Sequence, residues 1–312
     1  YKISSSPAHL LGMPPLVQFL RFMQVERGTP RLYRTEIIMI FIGTQNGIYG
    51  WDEASQALKL QALEGKDVLQ ISGSDNGTLV AYDADGTIWE SRDGRESWTQ
   101  IAASPIKEEI SVLFVHPISG EIFLGTEPPK LYRRDNVNGT WELVTDLDTL
   151  DVAKSWYTPW GGPPAVRSIA SANGSGLYLD IHVGGILRTL DYGETWHPTN
   201  KGLHLDVHEV ATSPKRENAV YAATAGGFYL SKDQGESWEV RNEGLTNRYT
   251  RGIAVHPGQP QTILISGSPT SPGGWRTHGK RFSLFRTTDD GAHWEKVTNG
   301  FPEFSDSEID TH

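Results

Sequence analysis

One short pattern recurs through the chain and limits what it can fold into. Thr189 to Trp196 reads TLDYGETW, Ser231 to Trp238 reads SKDQGESW and Thr287 to Trp294 reads TTDDGAHW. SRDGRESW at Ser91 to Trp98 and RRDNVNGTW at Arg133 to Trp141 are worn copies. The tryptophans that end the copies stand at 98, 141, 196, 238 and 294, so they are spaced 43, 55, 42 and 56 residues apart. A fixed period of this size means that one supersecondary unit is repeated, each copy covering its apolar face with its neighbours.

The residues between the boxes say what that unit is. In the fifth unit, Val207 to Thr212, Ala219 to Thr224 and Phe228 to Ser231 are short apolar runs, with Gly226-Gly227 as a turn, followed by the box and Glu239 to Arg241. Such runs, rich in Val, Ile, Tyr and Phe and separated by Gly, Asn and Asp turns, read as four strands A, B, C and D. After residue 38 no stretch keeps helical periodicity for three turns. Four-stranded units of about 40 to 50 residues are propeller blades, so the expected fold is an all-β, six-bladed propeller over residues 39–312. Complete units begin near Asp67, Glu109, Val166, Val207 and Thr250, and Ile37 to Leu63 supplies strands B to D of a first blade. Glu308 to His312 reads as the missing strand A, closing the ring; a chain that naturally continues would make seven blades. Residues 1–38 are expected to be an appendage, with a short helix over Leu16 to Met23 and the rest loosely ordered.

Composition enters as a set of exclusions. No apolar run approaches the roughly 18 residues of a membrane helix, and the net charge of -10 argues against nucleic acid or an anionic membrane as partner. With no cysteine, disulfides, thiol nucleophiles and thiolate metal sites are ruled out. Residues 1–38 lack the order of a secretory signal, which favours the cytoplasm. A monomer is expected.

The pattern Ser/Thr-x-Asp-x-Gly-x-Ser/Thr-Trp, held at Asp191/Gly193/Trp196, Asp233/Gly235/Trp238 and Asp289/Gly291/Trp294, resembles the Asp-box of the BNR-repeat propellers. That superfamily includes sialidases, xyloglucan hydrolases, sortilin-type receptors and photosystem assembly factors. The resemblance implies the fold and leaves function open, because the same scaffold serves enzymes and binders. The box itself reads as structure: the Asp accepts backbone bonds in its own turn, Gly supplies positive φ, and Trp plugs the gap between blades. One carboxylate per turn is too few for calcium. The Asn-Gly-Thr/Ser sequons at Asn76, Asn138 and Asn173 read first as turns.

Chemistry is expected at the opposite, top face. Aligning the units places Leu69, Ser111, Arg167, His208 and Arg251 at the start of strand A, with His312 in the terminal strand. At the end of strand B the series is Thr44, Asp83, Thr126, His182, Thr224 and Ser268. Residues two apart share a face, so Asp180 is paired with His182, Asp206 with His208 and Asp310 with His312. The imidazoles, with the carboxylates beside them, form a candidate site for one divalent metal, zinc or another first-row ion. Arg167 and Arg251 would hold an anionic group. Tyr249 stands two residues before Arg251, and the long insertions at 146–164 and 268–282 add Tyr157, Trp160, Trp275 and Arg276 as ligand-binding walls. His116 and His256 in Val-His-Pro are turn residues, and Glu209 faces the blade interior or its neighbour.

Three functions are weighed. The first is an enzyme, a metal-assisted hydrolase or lyase using His182, His208, Arg167 and Arg251 on a small anionic or sugar-derived ligand. The second is a glycoside hydrolase resembling the sialidases, although their Arg-Ile-Pro segment is absent and no Tyr/Glu couple can be placed. The third is a non-catalytic propeller that binds a protein partner.

Overall fold

The computed structural model describes residues 21–24, 38–52, 57–93, 97–103, 105–136, 139–159, 161–171, 176–300 and 302–306. These residues form six four-stranded antiparallel sheets, each running through its strands in chain order, and they are the blades of a six-bladed propeller. The innermost strands are Arg21–Gln24, Val68–Gly73, Glu109–Val115, Val166–Ser171, Val207–Thr212 and Tyr249–Val255. From the second sheet onward each inner strand packs beside the inner strand of the next sheet.

The first sheet departs from the sequence reading. Its inner strand is Arg21–Gln24, paired antiparallel with Ile38–Phe41, so this piece of the expected appendage is a strand and Arg21–Met23 is not helical. The physical reason is the open edge of Ile38–Thr44, whose backbone groups need a partner wherever one is offered. Glu308–His312, expected to fill that place, lie outside the described residues.

Each sheet is too thin to bury itself, so the core is divided among the gaps between sheets. Phe114, Phe123, Leu131, Ile169, Leu179 and Ile181 fill the gap between the third and fourth sheets. Tyr221, Phe228, Ile253, Ile265 and Phe285 fill the last one. The boxes lock these gaps from the outside. Asp191 accepts the Thr195 amide at 2.9 Å and the Thr189 hydroxyl at 2.6 Å, and Asp233 and Asp289 repeat this arrangement. Gly193 sits at φ +96 with a Cβ position 2.5 Å from Val144 of the preceding sheet, so only glycine lets the hairpin approach that closely.

The tryptophans reach the same way. Trp141 Nε1 donates to Ala102 O at 2.7 Å, Trp196 Nε1 to Thr145 Oγ1 at 2.9 Å, Trp238 Nε1 to Thr199 O at 2.6 Å and Trp294 Nε1 to Arg241 O at 2.9 Å. Every acceptor belongs to the outer strand region of the preceding sheet, so each indole ties one blade to the one before it. Trp294 is the most buried of them at 2 % exposure and meets Phe228 edge-on at 5.1 Å. Trp294→Ala is therefore expected to cost about 3 to 5 kcal/mol of folding stability, measured by urea unfolding. Trp98→Ala, at a half-buried copy whose indole nitrogen has no acceptor among the described residues, is expected to cost clearly less in the same assay.

Candidate functional site

The residues that the sequence placed at the start of strand A share one backbone feature. Pairing with the second strand slips between Val68 and Gln70, between Val166 and Ser168, between Val207 and Glu209, and between Thr250 and Ile253. In the third sheet the slip skips Ser111. Leu69, Ser111, Arg167 and His208 are thus the extra residues of β-bulges, left out of the ladder, and in the sixth sheet Arg251 and Gly252 together are left out. A bulge re-aims its side chain, and here a repeated bulge presents one residue per blade at the channel mouth. Below it, Leu113 N donates to Gln70 Oε1 at 2.7 Å, Val210 N to Ser168 Oγ at 2.9 Å and Ile253 N to Glu209 Oε2 at 2.7 Å. The residue after the bulge therefore ties its inner strand to the next, and Glu209 faces its neighbour.

The fourth, fifth and sixth blades bring the chemistry together. His182 Nε2 lies 3.1 Å from Arg167 Nη1 and 3.9 Å from Asp206 Oδ1. His208, fully buried, bonds through Nδ1 to Thr250 O and sets Nε2 3.3 Å from Asp206 Oδ1. The His182 and His208 rings meet edge-on at 6.5 Å, and His208 packs against Tyr249 at 4.6 Å. Tyr249 in turn meets Trp275 at 5.7 Å. Trp275 is held by its own indole bond to Thr270 O at 2.8 Å, and it is carried by the short helix Pro272–His278 of the second insertion.

Several expected members stand elsewhere. His182 is not equivalent to Thr224, because Ile181 pairs with Val166 as Thr224 pairs with Val207. The turn after Ile181 is one residue longer, with Val183 at φ +56, and it is this longer turn that carries His182. Asp180 does not pair with His182; it is fully buried and accepts from Ser168 Oγ at 3.4 Å. Tyr157 is 64 % exposed, and Arg276 lies on the exposed side of its helix. Trp156, next to Tyr157 in the first insertion, packs into the core beside Gly184. Trp160, Asp310 and His312 lie outside the described residues. Asp83 spends its carboxylate on its own turn and on Trp89 Nε1. His116 and His256 accept backbone amides in their turns, as expected.

Among the described residues no group of three His, Asp or Glu side chains is arranged to hold a metal ion. The Arg167 guanidinium lies against His182 Nε2, and Asp310 and His312 of the expected ligand set are not among the described residues. The longer turn that carries His182 toward Arg167 was invisible to an alignment built on glycine positions.

Burial and the arginines set the protonation states. Burial, with the Arg167 charge, pushes His182 down to about 3, so it is neutral at physiological pH. Burial lowers His208 as well. Burial pushes Asp180 up to about 7 even though Arg167 opposes it. Asp206 also suffers from burial, yet His208 beside it and the surrounding positive charge hold it below its ordinary value. With a neutral His208 donating from Nδ1 to Thr250 O, its Nε2 and Asp206 Oδ1 are both acceptors. Neither has a hydrogen-bond partner among the described residues, and the same is true of Asp180 Oδ1. Buried acceptors without donors are costly, and these three lie in the field of the Arg167 and Arg251 guanidinium groups.

The six sheets make the chain a six-bladed β-propeller whose hairpins carry repeated Asp turns. The family described as Sortilin-Vps10 (sortilin, neurotensin receptor 3) matches residues 184–308. A GH74 enzyme from Niastella koreensis is similar in structure with a TM-score of 0.64 at 18% identity, covering 83% of this chain and 43% of the enzyme. The GH74 xyloglucanase from Xanthomonas campestris is similar at 0.62 and 17%, covering 84% and 43%. The structure of YCF48 bound to D1 peptide is similar at 0.59 and 14%, covering 92% of this chain and 83% of that one. The chain thus spans less than half of either GH74 enzyme. None of the curated proteins matches it in sequence.

Asp180 and His182 pull stability in opposite directions with pH. The folded state holds a proton on Asp180 that the unfolded chain releases, so this contribution is full below pH 4 and is lost as pH rises toward 7. His182 works the other way, costing stability as pH falls from 6.5 toward 3. Asp180→Asn removes the first slope and keeps the second. Relative to wild type the variant is expected to gain up to about 1.4 kcal/mol per pH unit between pH 4 and 7, measured by urea unfolding at a series of pH values.

Proposed function

We propose that this propeller is a binding module whose top-face channel mouth seats a carboxylate-bearing peptide without turning it over. The observation that carries this reading is the gathering of Arg167 and Arg251 around His182, His208 and Asp206, where His208 Nε2 and Asp206 Oδ1 have no hydrogen-bond partner among the described residues. A carboxylate suits the guanidinium groups, and an adjacent amide N–H suits the acceptors. Tyr249 and Trp275 form an aromatic wall at one side of the same mouth, the kind of surface on which a side chain packs. The likeness to a propeller of similar length that is bound to a peptide supports a peptide over a sugar acid.

Two features weigh against hydrolysis. Asp180 is fully enclosed, so it cannot reach a glycosidic oxygen, and burial pushes the Tyr249 phenol up, away from the activated state of a nucleophile. His182 and His208 then act as neutral positioning groups.

The test is a pair of peptide pools, identical except for a free or an amidated C-terminus, enriched on immobilised protein and followed by calorimetry on the best binders. Free carboxylates are expected to bind preferentially, and Arg251→Gln and Arg167→Gln are expected to weaken binding at least about tenfold, as loss of a charge-assisted bond predicts. Equal enrichment of amidated peptides, or binding that survives both substitutions, sinks the reading. Turnover of a fluorogenic sialoside or of xyloglucan by the same preparation would replace it with the hydrolase.

A further inference from the structure

The insertion of the sixth blade does more than carry Trp275. Residues 268–282 hold Arg276, Lys280 and Arg281 and no aspartate or glutamate, in a chain whose net charge is -10. Arg248 adds positive charge just before the strand that begins at Tyr249, the ring partner of Trp275. Arg248, Arg276 and Arg281 are all exposed. None of the three makes an ion pair among the described residues, and Asp306, which lies beside Gly279, makes none with them. Arginines elsewhere on the ring behave differently. Arg188 is paired with Glu236, Arg216 with Asp290 and Arg241 with Glu239.

The helix dipole does not account for this gathering of charge. The last turn of Pro272–His278 favours a positive group, which covers Arg276, but Arg248 and Arg281 lie outside the helix. Arg281 is steadied by the Phe304 ring, 4.7 Å from its guanidinium carbon, and its planar fork of donors remains suited to a carboxylate. Lys280 Nζ stands 5.2 Å over Trp275, so positive charge reaches the aromatic wall of the mouth. The His208, Tyr249 and Trp275 rings follow one another at 4.6 and 5.7 Å. That wall spans at most about 10 Å, or three extended residues at roughly 3.3 Å each. A peptide with its carboxylate at Arg167 and Arg251 and its chain along the wall therefore brings the second and third residues before its last to the insertion.

We infer that this insertion is a docking surface for a short acidic segment, and that the peptide seated in the mouth, on the reading proposed above, carries aspartate or glutamate two and three positions before its final residue. A peptide suits the surface better than a nucleic acid does. The unpaired charge is concentrated on one loop and its neighbour, and the rest of a chain at -10 repels a long polyanion. Exposed ion pairs each contribute modestly and are screened by salt, so the surface selects among peptides and speeds their arrival.

Fluorescence anisotropy with four N-terminally labelled eight-residue peptides tests this. All end in Ala-Leu, preceded by Glu-Glu or Gln-Gln, and each pair is made with a free and an amidated C-terminus. At about 50 mM salt the glutamate peptides are expected to bind at least about fivefold more tightly than the glutamine peptides, with either terminus, and about 500 mM salt is expected to remove the difference. The Arg248→Glu, Arg276→Glu double variant, shown to be folded by circular dichroism, is expected to lose or reverse the preference. The inference is overturned if the glutamate peptides bind no better than the glutamine peptides at low salt, or if their preference survives in the double variant. It is equally overturned if a short thymidine oligonucleotide of matched charge displaces the glutamate peptide as readily as the unlabelled peptide does, which is attraction of any anion. Loss of the free-terminus effect with the glutamate preference intact sinks the carboxylate seat and leaves this surface standing, whereas no binding by any of the four peptides sinks both.

Discussion

The tie that each blade makes to the one before it is the interaction on which this molecule depends. A four-stranded sheet in water hides neither of its faces, and nothing within one blade can change that. The indoles of Trp141, Trp196, Trp238 and Trp294 solve this at the periphery, each filling a gap and donating its N–H to the preceding sheet. Glycines at 193 and 291 let the hairpins come close enough, with Val144 and Phe228 directly in front of them. On the inner side, Gln70, Ser168 and Glu209 bond the backbone of the next inner strand. Two concentric sets of bonds therefore hold the sheets at a constant angle, which leaves the channel free to carry other chemistry.

That chemistry arises from a local failure of pairing. In four sheets one residue near the start of the inner strand is skipped by the ladder, and in the sixth two are, Arg251 and Gly252; the first skipped side chain turns to the mouth. Where the skipped residue is Leu69 or Ser111 nothing ionisable results. In the next three sheets it is Arg167, His208 and Arg251, and a polar site follows. The low polarizability of the surrounding core then separates two acidic groups that are close in sequence and space. Asp180, enclosed, drifts toward the neutral form, while Asp206, beside His208, stays charged.

The structural likenesses agree with this division between scaffold and mouth. Glycoside hydrolases and a peptide-bound propeller are similar to this chain over more than four-fifths of its length, so the shared part is the stack of blades. What distinguishes such proteins is what their bulges and top-face loops present. Here the loop of the sixth blade places Trp275 against Tyr249, while that of the fourth folds Trp156 inward as packing.

Much was legible before any coordinates. The Asp-box period determined that the chain is a ring of four-stranded units, because a repeated turn needs a repeated environment. Aligning those units brought Arg167, His208, Arg251 and Tyr249 to one mouth, since the bulge recurs at a constant offset from the strand's apolar residues. It also assigned His116 and His256 to turns. Only the tertiary structure decided the rest. A turn lengthened by one residue moved His182 from a strand end to a hairpin tip and placed it against Arg167, and periodicity cannot register a single added residue. The inner strand of the first blade came from Arg21–Gln24, because an open sheet edge recruits backbone without regard to side-chain pattern. Burial, which is a property of the assembled ring and not of any segment, decided that Asp180 is enclosed, that Tyr157 faces water and that His182 carries no charge.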